Sequence, residues 1–395
     1  MPSRAFALLA VVALALAVGA YRFHHDRALW SSDGAIYLRM ALADRGVPPA
    51  QALRITNGYM LSATSEANDP ETRGFYGDAP PAHYRDQAAL FVTRPLYPAL
   101  SSLLLPRYGP LALKIVSALA YVAAVVLMYV LLLAFAPPWI AAAGAAALAL
   151  TPNVQNHAVY PLTEMLALCC WVAALFALFA YLRAPSAARL ALFVAATALL
   201  AFTRPAVYLP FGAALAVFLT APRGTPLRDA AARATIAVSA VGVAFGIYTL
   251  LVHGPGITAQ VQWEYAWQHA VHGRFANGGI VSWWARSVGA AIVTELVVDA
   301  YKSNTLLAFV LAAFGVLLAP RSLAVYVALG VAAALLIPIA VNPLELARTV
   351  AIPFTPVLLV LATIALAALA RLVRPPSGPA LAARELVADD HGARR

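Results

Sequence analysis

Long apolar segments without charged residues are the feature that most constrains the fold of this chain. A helix needs about 20 apolar residues to cross the hydrocarbon core of a bilayer, and fewer where neighbouring helices cover it. Such segments recur along most of the 395 residues, of which 63% are hydrophobic and only 11% are charged. A soluble domain carries about twice that share of charged residues. The sequence therefore predicts an all-α polytopic membrane protein.

About ten transmembrane helices are predicted. The first segment, Ala5–Ala20, follows Arg4 and ends in Val18-Gly-Ala20, so it is either a span or a cleaved signal peptide. The stretch Leu190–Leu219 is interrupted only by Thr203-Arg-Pro205, which makes it either two short spans or one broken pair. The nine later spans are predicted at Leu111–Phe135, Trp139–Leu150, Tyr160–Leu182, Leu190–Phe202, Pro205–Leu219, Thr235–Val252, Thr305–Leu318, Leu323–Val341 and Thr349–Leu369.

Two stretches contain no apolar run of span length and are predicted to be external loops. The first is long and is expected to hold short interfacial helices near Gly34–Ala43 and Leu96–Leu105. The predicted division of the chain is 1–21 first transmembrane segment (or signal), 22–110 external loop with a candidate catalytic Asp, 111–252 transmembrane bundle, 253–304 second external loop, 305–370 C-terminal transmembrane helices and 371–395 cytoplasmic tail.

The distribution of charge indicates a membrane orientation and argues against binding of nucleic acid. The formal net charge is +10, but most basic residues stand singly beside apolar segments. If the N-terminus is cytoplasmic, the short loops on that side are consistently basic, as the positive-inside rule requires. We therefore expect a multi-pass protein of a bacterial inner (plasma) membrane, in contact with its lipids, with both long loops outside. The two cysteines, Cys169 and Cys170, are adjacent and form neither a disulfide framework nor a spaced metal site.

Two acidic residues are candidates for catalysis. Asp33 lies in Trp30-Ser-Ser-Asp-Gly-Ala-Ile-Tyr-Leu-Arg39, close behind the first apolar segment and hence near the membrane surface. The alternative is that Ser32 and Asp33 only start a short helix. Glu164 lies in Tyr160-Pro-Leu-Thr-Glu164 at the outer end of a predicted span. Its alternative role is to complement the dipole of a helix that begins near the proline.

Two residues that precede Glu164, His157 and Tyr160, are candidates for binding an acceptor or a sugar. A histidine in such a turn is more often a loop residue whose hydrogen bonds are satisfied locally. In the second loop, Trp263 and Glu264 are further candidates for binding a sugar. Anchoring at the membrane interface is the alternative for the tryptophan.

Three arginines lie on the predicted external side, against the general charge bias. Arg204 separates two spans, Arg348 precedes the last span and Arg94 ends the first loop. Each could simply extend to lipid headgroups. Guanidinium groups also match the oxygens of phosphate, so three of them at one membrane face indicate a phosphorylated lipid as ligand.

The order of these motifs resembles a known family, the polytopic glycosyltransferases of the GT-C fold, which use dolichyl- or undecaprenyl-phosphate sugars. The resemblance includes the dolichyl-phosphate-mannose mannosyltransferase-like and aminoarabinose transferase-like enzymes. It rests on an early Asp33 in a long first loop, Pro161-x-x-Glu164, Thr203-Arg-Pro205 and Arg348 before the final span.

What the resemblance implies is a role for each of these residues. Asp33 would be the general base, or would help to hold the acceptor or a metal, and Arg204, Arg348 and Arg94 would bind the donor phosphate. Many members have two adjacent acids where this chain has Asp33 followed by Gly34, so a requirement for a divalent cation (Mg or Mn) stays open.

The expected activity is transfer of a sugar from a polyprenyl-phosphate donor to a lipid, glycan or protein acceptor on the external face. Asp33 would take the proton of the acceptor hydroxyl, with inversion at the anomeric carbon, and the arginines would stabilise the departing phosphate. Alternatives are a transporter or flippase, a structural subunit of an envelope complex, and a ligase that moves a lipid-linked glycan. A transporter would be expected to carry charges near mid-span and inverted repeats.

Overall fold

The computed structural model describes residues 3–26, 30–63, 89–256, 258–262, 265, 279–291, 293, 305–341 and 347–373. Within these ranges the regular secondary structure is helical throughout. The helices are α1 (Arg4–His25), α2 (Ser32–Ala43), α3 (Pro49–Ala63), α4 (Leu96–Tyr108), α5 (Leu111–Leu132), α6 (Pro138–Leu150), α7 (Pro152–His157), α8 (Glu164–Arg183), α9 (Ala187–Thr203), α10 (Tyr208–Thr220), α11 (Pro226–Leu251), α12 (Ile280–Ala291), α13 (Thr305–Leu318), α14 (Leu323–Ala334), α15 (Leu336–Val341) and α16 (Ile352–Val373). A π-helical turn, Ala347–Ala351, precedes α16.

Six helical segments of the described chain are long and apolar enough to cross a membrane. They are α1, α5, α8, α11, the pair α14 and α15, and α16 together with the turn before it. Four shorter helices, α6, α9, α10 and α13, are also apolar. The fold is therefore all-helical, and its apolar helices indicate a multi-pass membrane protein.

Some helices differ from their predicted bounds for local reasons. Helix α11 begins at Pro226, well before the predicted Thr235, because the Thr225 hydroxyl accepts a hydrogen bond from the Arg228 amide and caps the helix. The predicted span Leu323–Val341 is divided at Leu335 into α14 and α15. The two predicted interfacial helices correspond to α2 and α4.

The centre of the bundle is formed by α5 and α8, which pack against each other and are largely buried. Helix α1 runs antiparallel to α5: Tyr129 Oη donates to the carbonyl of Arg4 at one end, and Lys114 Nζ donates to the carbonyl of Asp26 at the other. Helix α9 packs on α8, α13 on α16, and α10 on α14. These contacts fix the relative heights of the helix ends.

The outer face of the bundle is apolar. Helix α11 buries few of its residues, and its large side chains Ile236 and Leu250 are 70% and 76% exposed. An apolar exterior of this extent is unfavourable in water and suits the hydrocarbon core of a bilayer. The bundle therefore has its lipid-facing surface on the sides and its polar groups at the ends.

One end of the bundle collects the candidate residues, and we call it the site end. It is the end at which α1 and α9 finish and α5, α8 and α16 begin, and α2, α4 and α7 contact these helices. The first external loop was predicted to hold interfacial helices, and the helices α2 and α4 occupy this end. The fold thus brings the start of the chain next to residues more than 300 positions later.

Candidate functional site

Four of the predicted residues form one ion-pair cluster at the site end. Arg348 joins the two carboxylates: its Nε lies 2.6 Å from Glu164 Oε1 and its Nη2 lies 3.0 Å from Asp33 Oδ2. Arg204 Nη1 lies 2.6 Å from the same Glu164 oxygen. The cluster brings together Asp33 from α2, Glu164 from α8, Arg204 after α9 and Arg348 before α16.

Asp33 is positioned by the start of α2. Ser31 Oγ accepts a hydrogen bond from the Gly34 amide at 3.1 Å and caps the helix, so Asp33 lies in its first turn. A Cβ atom on Gly34 would lie only 2.8 Å from Pro161 Cγ. The absence of a side chain at Gly34 therefore lets α2 approach the segment that leads into α8, which places Asp33 near Glu164.

Glu164 is the centre of the cluster. It opens α8, its side chain is only 1% exposed, and Oε1 accepts hydrogen bonds from both Arg204 and Arg348. A carboxylate removed from water is costly unless it is paired, and these two charge-assisted hydrogen bonds compensate for that cost. Its other oxygen, Oε2, is buried and has no hydrogen-bond donor among the described residues.

Both arginines of the cluster lie at irregular points of the backbone. Arg204 follows α9 in an extended conformation and is itself followed by Pro205, which prevents a continuous helix. Arg348 lies in the π-helical turn Ala347–Ala351. Such turns interrupt regular packing and are frequent at functional sites. The breaks direct both guanidinium groups toward Glu164.

Arg94 joins the site through a residue that the sequence analysis did not single out, Tyr37. Arg94 Nη1 donates to Tyr37 Oη at 3.2 Å, and its guanidinium lies 4.7 Å from the centre of the Phe91 ring. Tyr37 Oη in turn lies 3.4 Å from the hydroxyl of Thr163, the residue before Glu164. Tyr37 follows Asp33 by one helical turn, and this i, i+4 spacing was the available signal that both face the same way.

The protonation of the groups around the cluster follows from burial and charge. Burial raises the pKa of Tyr37; Arg94 opposes this shift and the carboxylates of Asp33 and Glu164 add to it, so the phenol is neutral at pH 7. Burial disfavours the Arg94 cation, but Tyr37 and the two carboxylates raise its pKa overall. Burial lowers the pKa of His157 although Glu164 opposes the shift, so the imidazole is neutral at pH 7.

His157 and Tyr160 lie beside the cluster. His157 Nδ1 lies 2.7 Å from the carbonyl of Asn153, and its ring is edge-on to that of Tyr160 at 6.2 Å between centroids. The Tyr160 carbonyl accepts a hydrogen bond from Ser117. Trp263 and Glu264 lie outside the described residues, and their predicted role stays a prediction.

Five charged side chains among the described residues contribute to the site. Three guanidinium groups, of Arg94, Arg204 and Arg348, lie around two carboxylates, of Asp33 and Glu164. Guanidinium groups that are partly removed from water match the oxygens of phosphate and of other anions. The arrangement can therefore bind a phosphate group while keeping a carboxylate beside it.

The described part of the chain does not fit a divalent cation. No three His, Cys, Asp or Glu side chains converge there as ligands. Both carboxylates of the site, Asp33 and Glu164, already face the guanidinium of Arg348. Since Mg²⁺ and Mn²⁺ prefer several oxygen ligands, these residues alone form no such site.

A narrow cleft opens next to the cluster, between α8, α9, α10 and α16. It is lined by Glu164, Ala167, Leu168, Trp171, Leu200, Arg204, Ala206, Tyr208, Leu209, Arg348, Thr349, Ile352 and Pro353. Trp171 is held in place because its Nε1 donates to the carbonyl of Pro353 at 2.8 Å. The cleft could not be predicted from the sequence, because its lining comes from separate helices.

Comparison with known proteins gave no relative: no family model, curated protein or solved structure matches the chain. The resemblance to the GT-C glycosyltransferases therefore rests on the residues themselves.

Proposed function

We propose that this protein is a GT-C type glycosyltransferase of the inner membrane, which moves a sugar from a polyprenyl-phosphate donor to a lipid, glycan or protein acceptor. The observation that carries the proposal is the position of Arg348, 2.6 Å from Glu164 and 3.0 Å from Asp33, with Arg204 on the same glutamate. Arginines that converge beside a carboxylate, at one end of an apolar bundle, support chemistry on a phosphorylated lipid.

The proposed topology has about ten spans, with the site end outside. The six long apolar segments and the four shorter ones supply this number. Basic residues near the opposite end of the bundle support a cytoplasmic position for that end under the positive-inside rule. These residues are Arg4, Arg183, Arg189, Arg223, Arg228, Arg233, Arg321 and Arg371.

In the proposed reaction, the arginines hold the donor phosphate and Asp33 acts on the acceptor. As the acceptor oxygen bonds to the anomeric carbon, Asp33 takes its proton and the bond from that carbon to the phosphate oxygen breaks. The bonding electrons leave with the polyprenyl phosphate, whose growing charge Arg204 and Arg348 stabilise. A single displacement of this kind inverts the configuration of the sugar.

Arg348 has a particular place in this scheme because it contacts Asp33 through Nη2 and Glu164 through Nε. A donor phosphate that attracts Arg348 weakens the ion pair between Arg348 and Asp33, and Asp33 becomes a stronger base as a result. The donor would in this way prepare the base for the second substrate. The contact that joins phosphate binding to proton transfer is thus the Arg348 to Asp33 ion pair.

Glu164 is better suited to position the arginines than to act as a second base. Its Oε1 already accepts hydrogen bonds from Arg204 and Arg348, and its side chain is 1% exposed. If Glu164 took up a proton, the two guanidinium groups would lose the negative charge that stabilises them, and this would cost a large free energy. Its predicted catalytic role stays a prediction, and we assign it the positioning of the phosphate-binding groups.

The test is transfer of radiolabelled sugar from polyprenyl-phosphate donors in membranes that carry the wild type or Asp33→Asn. The control is Asp229→Asn, which changes an exposed acid in the first turn of α11 in the same way. We expect transfer by the wild type and the control, and a loss of at least 100-fold in Asp33→Asn, in line with removal of a general base. Equal transfer by Asp33→Asn would refute its role as the base. A wild type that moves such lipids across the membrane without transferring sugar would favour a flippase.

A further inference from the structure

The buried oxygen Oε2 of Glu164 requires a hydrogen-bond donor that the described residues do not supply. The residue is 2% exposed, and among the described residues Oε1 takes both arginines while Oε2 takes none. An acceptor with a full charge that is removed from water is rarely left unsatisfied. Glu164 lines the cleft between α8, α9, α10 and α16, so the missing donor would come from a group in that cleft.

The space and the neighbours of Oε2 limit what that group can be. The free space in the cleft accommodates about one water-sized group. Arg204 lines the same space and donates one hydrogen bond, through Nη1, to Glu164 Oε1. Because a guanidinium carries five N–H groups, Arg204 has further donors for a group that enters this space.

An acceptor beside donors selects for a hydroxyl group. A hydroxyl can donate to Oε2 and accept from Arg204 at the same time, whereas a phosphate oxygen without a proton would be repelled by Oε2. The aromatic residues Trp171 and Tyr208 also line the cleft. This combination suits one hydroxyl of a sugar.

We infer that the cleft is the subsite for a hydroxyl group of the transferred sugar, which donates a hydrogen bond to Glu164 Oε2. The inference rests on the proposed function, since it places the sugar of a polyprenyl-phosphate donor next to the arginines that hold its phosphate. Glu164 then has two roles: Oε1 positions Arg204 and Arg348, and Oε2 accepts a hydrogen bond from the sugar hydroxyl. The donor would be recognised by its phosphate and its sugar through opposite sides of one carboxylate.

The experiment compares binding of farnesyl phosphate with binding of a panel of farnesyl-phosphate glycosides (hexosyl, N-acetylhexosaminyl and pentosyl) to the full-length purified protein. We expect at least one glycoside to bind about ten-fold or more tightly than farnesyl phosphate, as one hydrogen bond to a charged group provides. Glu164→Gln should lose this gain. Ala167→Leu, which fills the cleft without altering a charge, should also lose it and still bind farnesyl phosphate.

The matched control is Ala173→Leu, a partly exposed alanine of α8 outside the cleft lining, which should keep the gain. If no glycoside binds the wild type more tightly than farnesyl phosphate, or if Ala167→Leu keeps the gain, the hydroxyl subsite is refuted and the phosphate site stands. If the wild type binds neither farnesyl phosphate nor its glycosides, the proposed function itself fails, and the subsite with it.

Discussion

Removing the charge of Glu164 should destabilise the protein far more than removing the charge of an ordinary acid at a helix start. In Glu164→Gln, the guanidinium groups of Arg204 and Arg348 lose the carboxylate that lies 2.6 Å from each of them. Loss of one partner from a buried ion pair costs about 3–5 kcal/mol. Loss of the favourable interaction with the helix dipole alone costs about 0.3–1 kcal/mol.

The control for this prediction is Asp229→Asn, which removes an exposed carboxylate from the first turn of α11 and so isolates the dipole contribution. The assay is the thermal stability of the detergent-purified protein, measured at one heating rate for wild type and both variants. We expect a large decrease in Tm for Glu164→Gln and a small one for Asp229→Asn. Equal decreases would show that Glu164 serves only the helix dipole, and the reasoning on the cluster would be wrong.

Three further predictions address the surroundings of the cluster. Gly34→Ala should lower the free energy of unfolding by about 1–3 kcal/mol, because the new Cβ would lie 2.8 Å from Pro161 Cγ. Gly58→Ala is the control and should not destabilise the protein, because no atom lies near its Cβ. The Tm of each variant measures the difference. Tyr37→Phe removes the acceptor for Arg94 Nη1 and should weaken binding of farnesyl phosphate about ten-fold, with binding of farnesol unchanged. Because the pKa of His157 is lowered in the folded protein, the unfolded chain binds more protons below about pH 6.5, so stability should fall on acidification from pH 7 to 5. His157→Asn should reduce this slope in a series of Tm measurements, and an unchanged slope would assign it to other groups.

The class of fold could be predicted from the sequence because a bilayer imposes a simple rule on apolar length. The predicted Thr305–Leu318 has the same bounds as α13, and Leu111–Phe135 differs from α5 only at its end. Helix bounds could be predicted less well where a capped polar turn extends a helix beyond its apolar segment. Helix α11 extends to Pro226 through a polar turn that a search for apolar residues does not include.

The site could be predicted in part, since charges at the ends of apolar helices are few and each requires a reason. Asp33, Glu164, Arg204 and Arg348 were identified in this way, and they do lie together. Their pairing could not be predicted, because the π-helical turn at Arg348 and the approach of Gly34 in α2 to Pro161 before α8 depend on contacts between distant segments. Tyr37 was missed for a related reason: the sequence of a short helix does not show which polar groups of other segments an aromatic residue will contact.

The measurement that tests the central claim most directly is the affinity of the purified protein for farnesyl phosphate compared with farnesol, for the wild type and for Arg348→Gln. If Arg204, Arg348 and Arg94 hold the phosphate of a lipid, the wild type should bind the phosphate at least ten-fold more tightly than the alcohol. Arg348→Gln should lose most of that preference. The substitution removes one of the three guanidinium groups and also leaves Asp33 and Glu164 without the cation that contacts both of them, so these carboxylates repel a phosphate more strongly. Equal affinities for phosphate and alcohol in the wild type would contradict the account, and the cluster would then serve only to stabilise the fold.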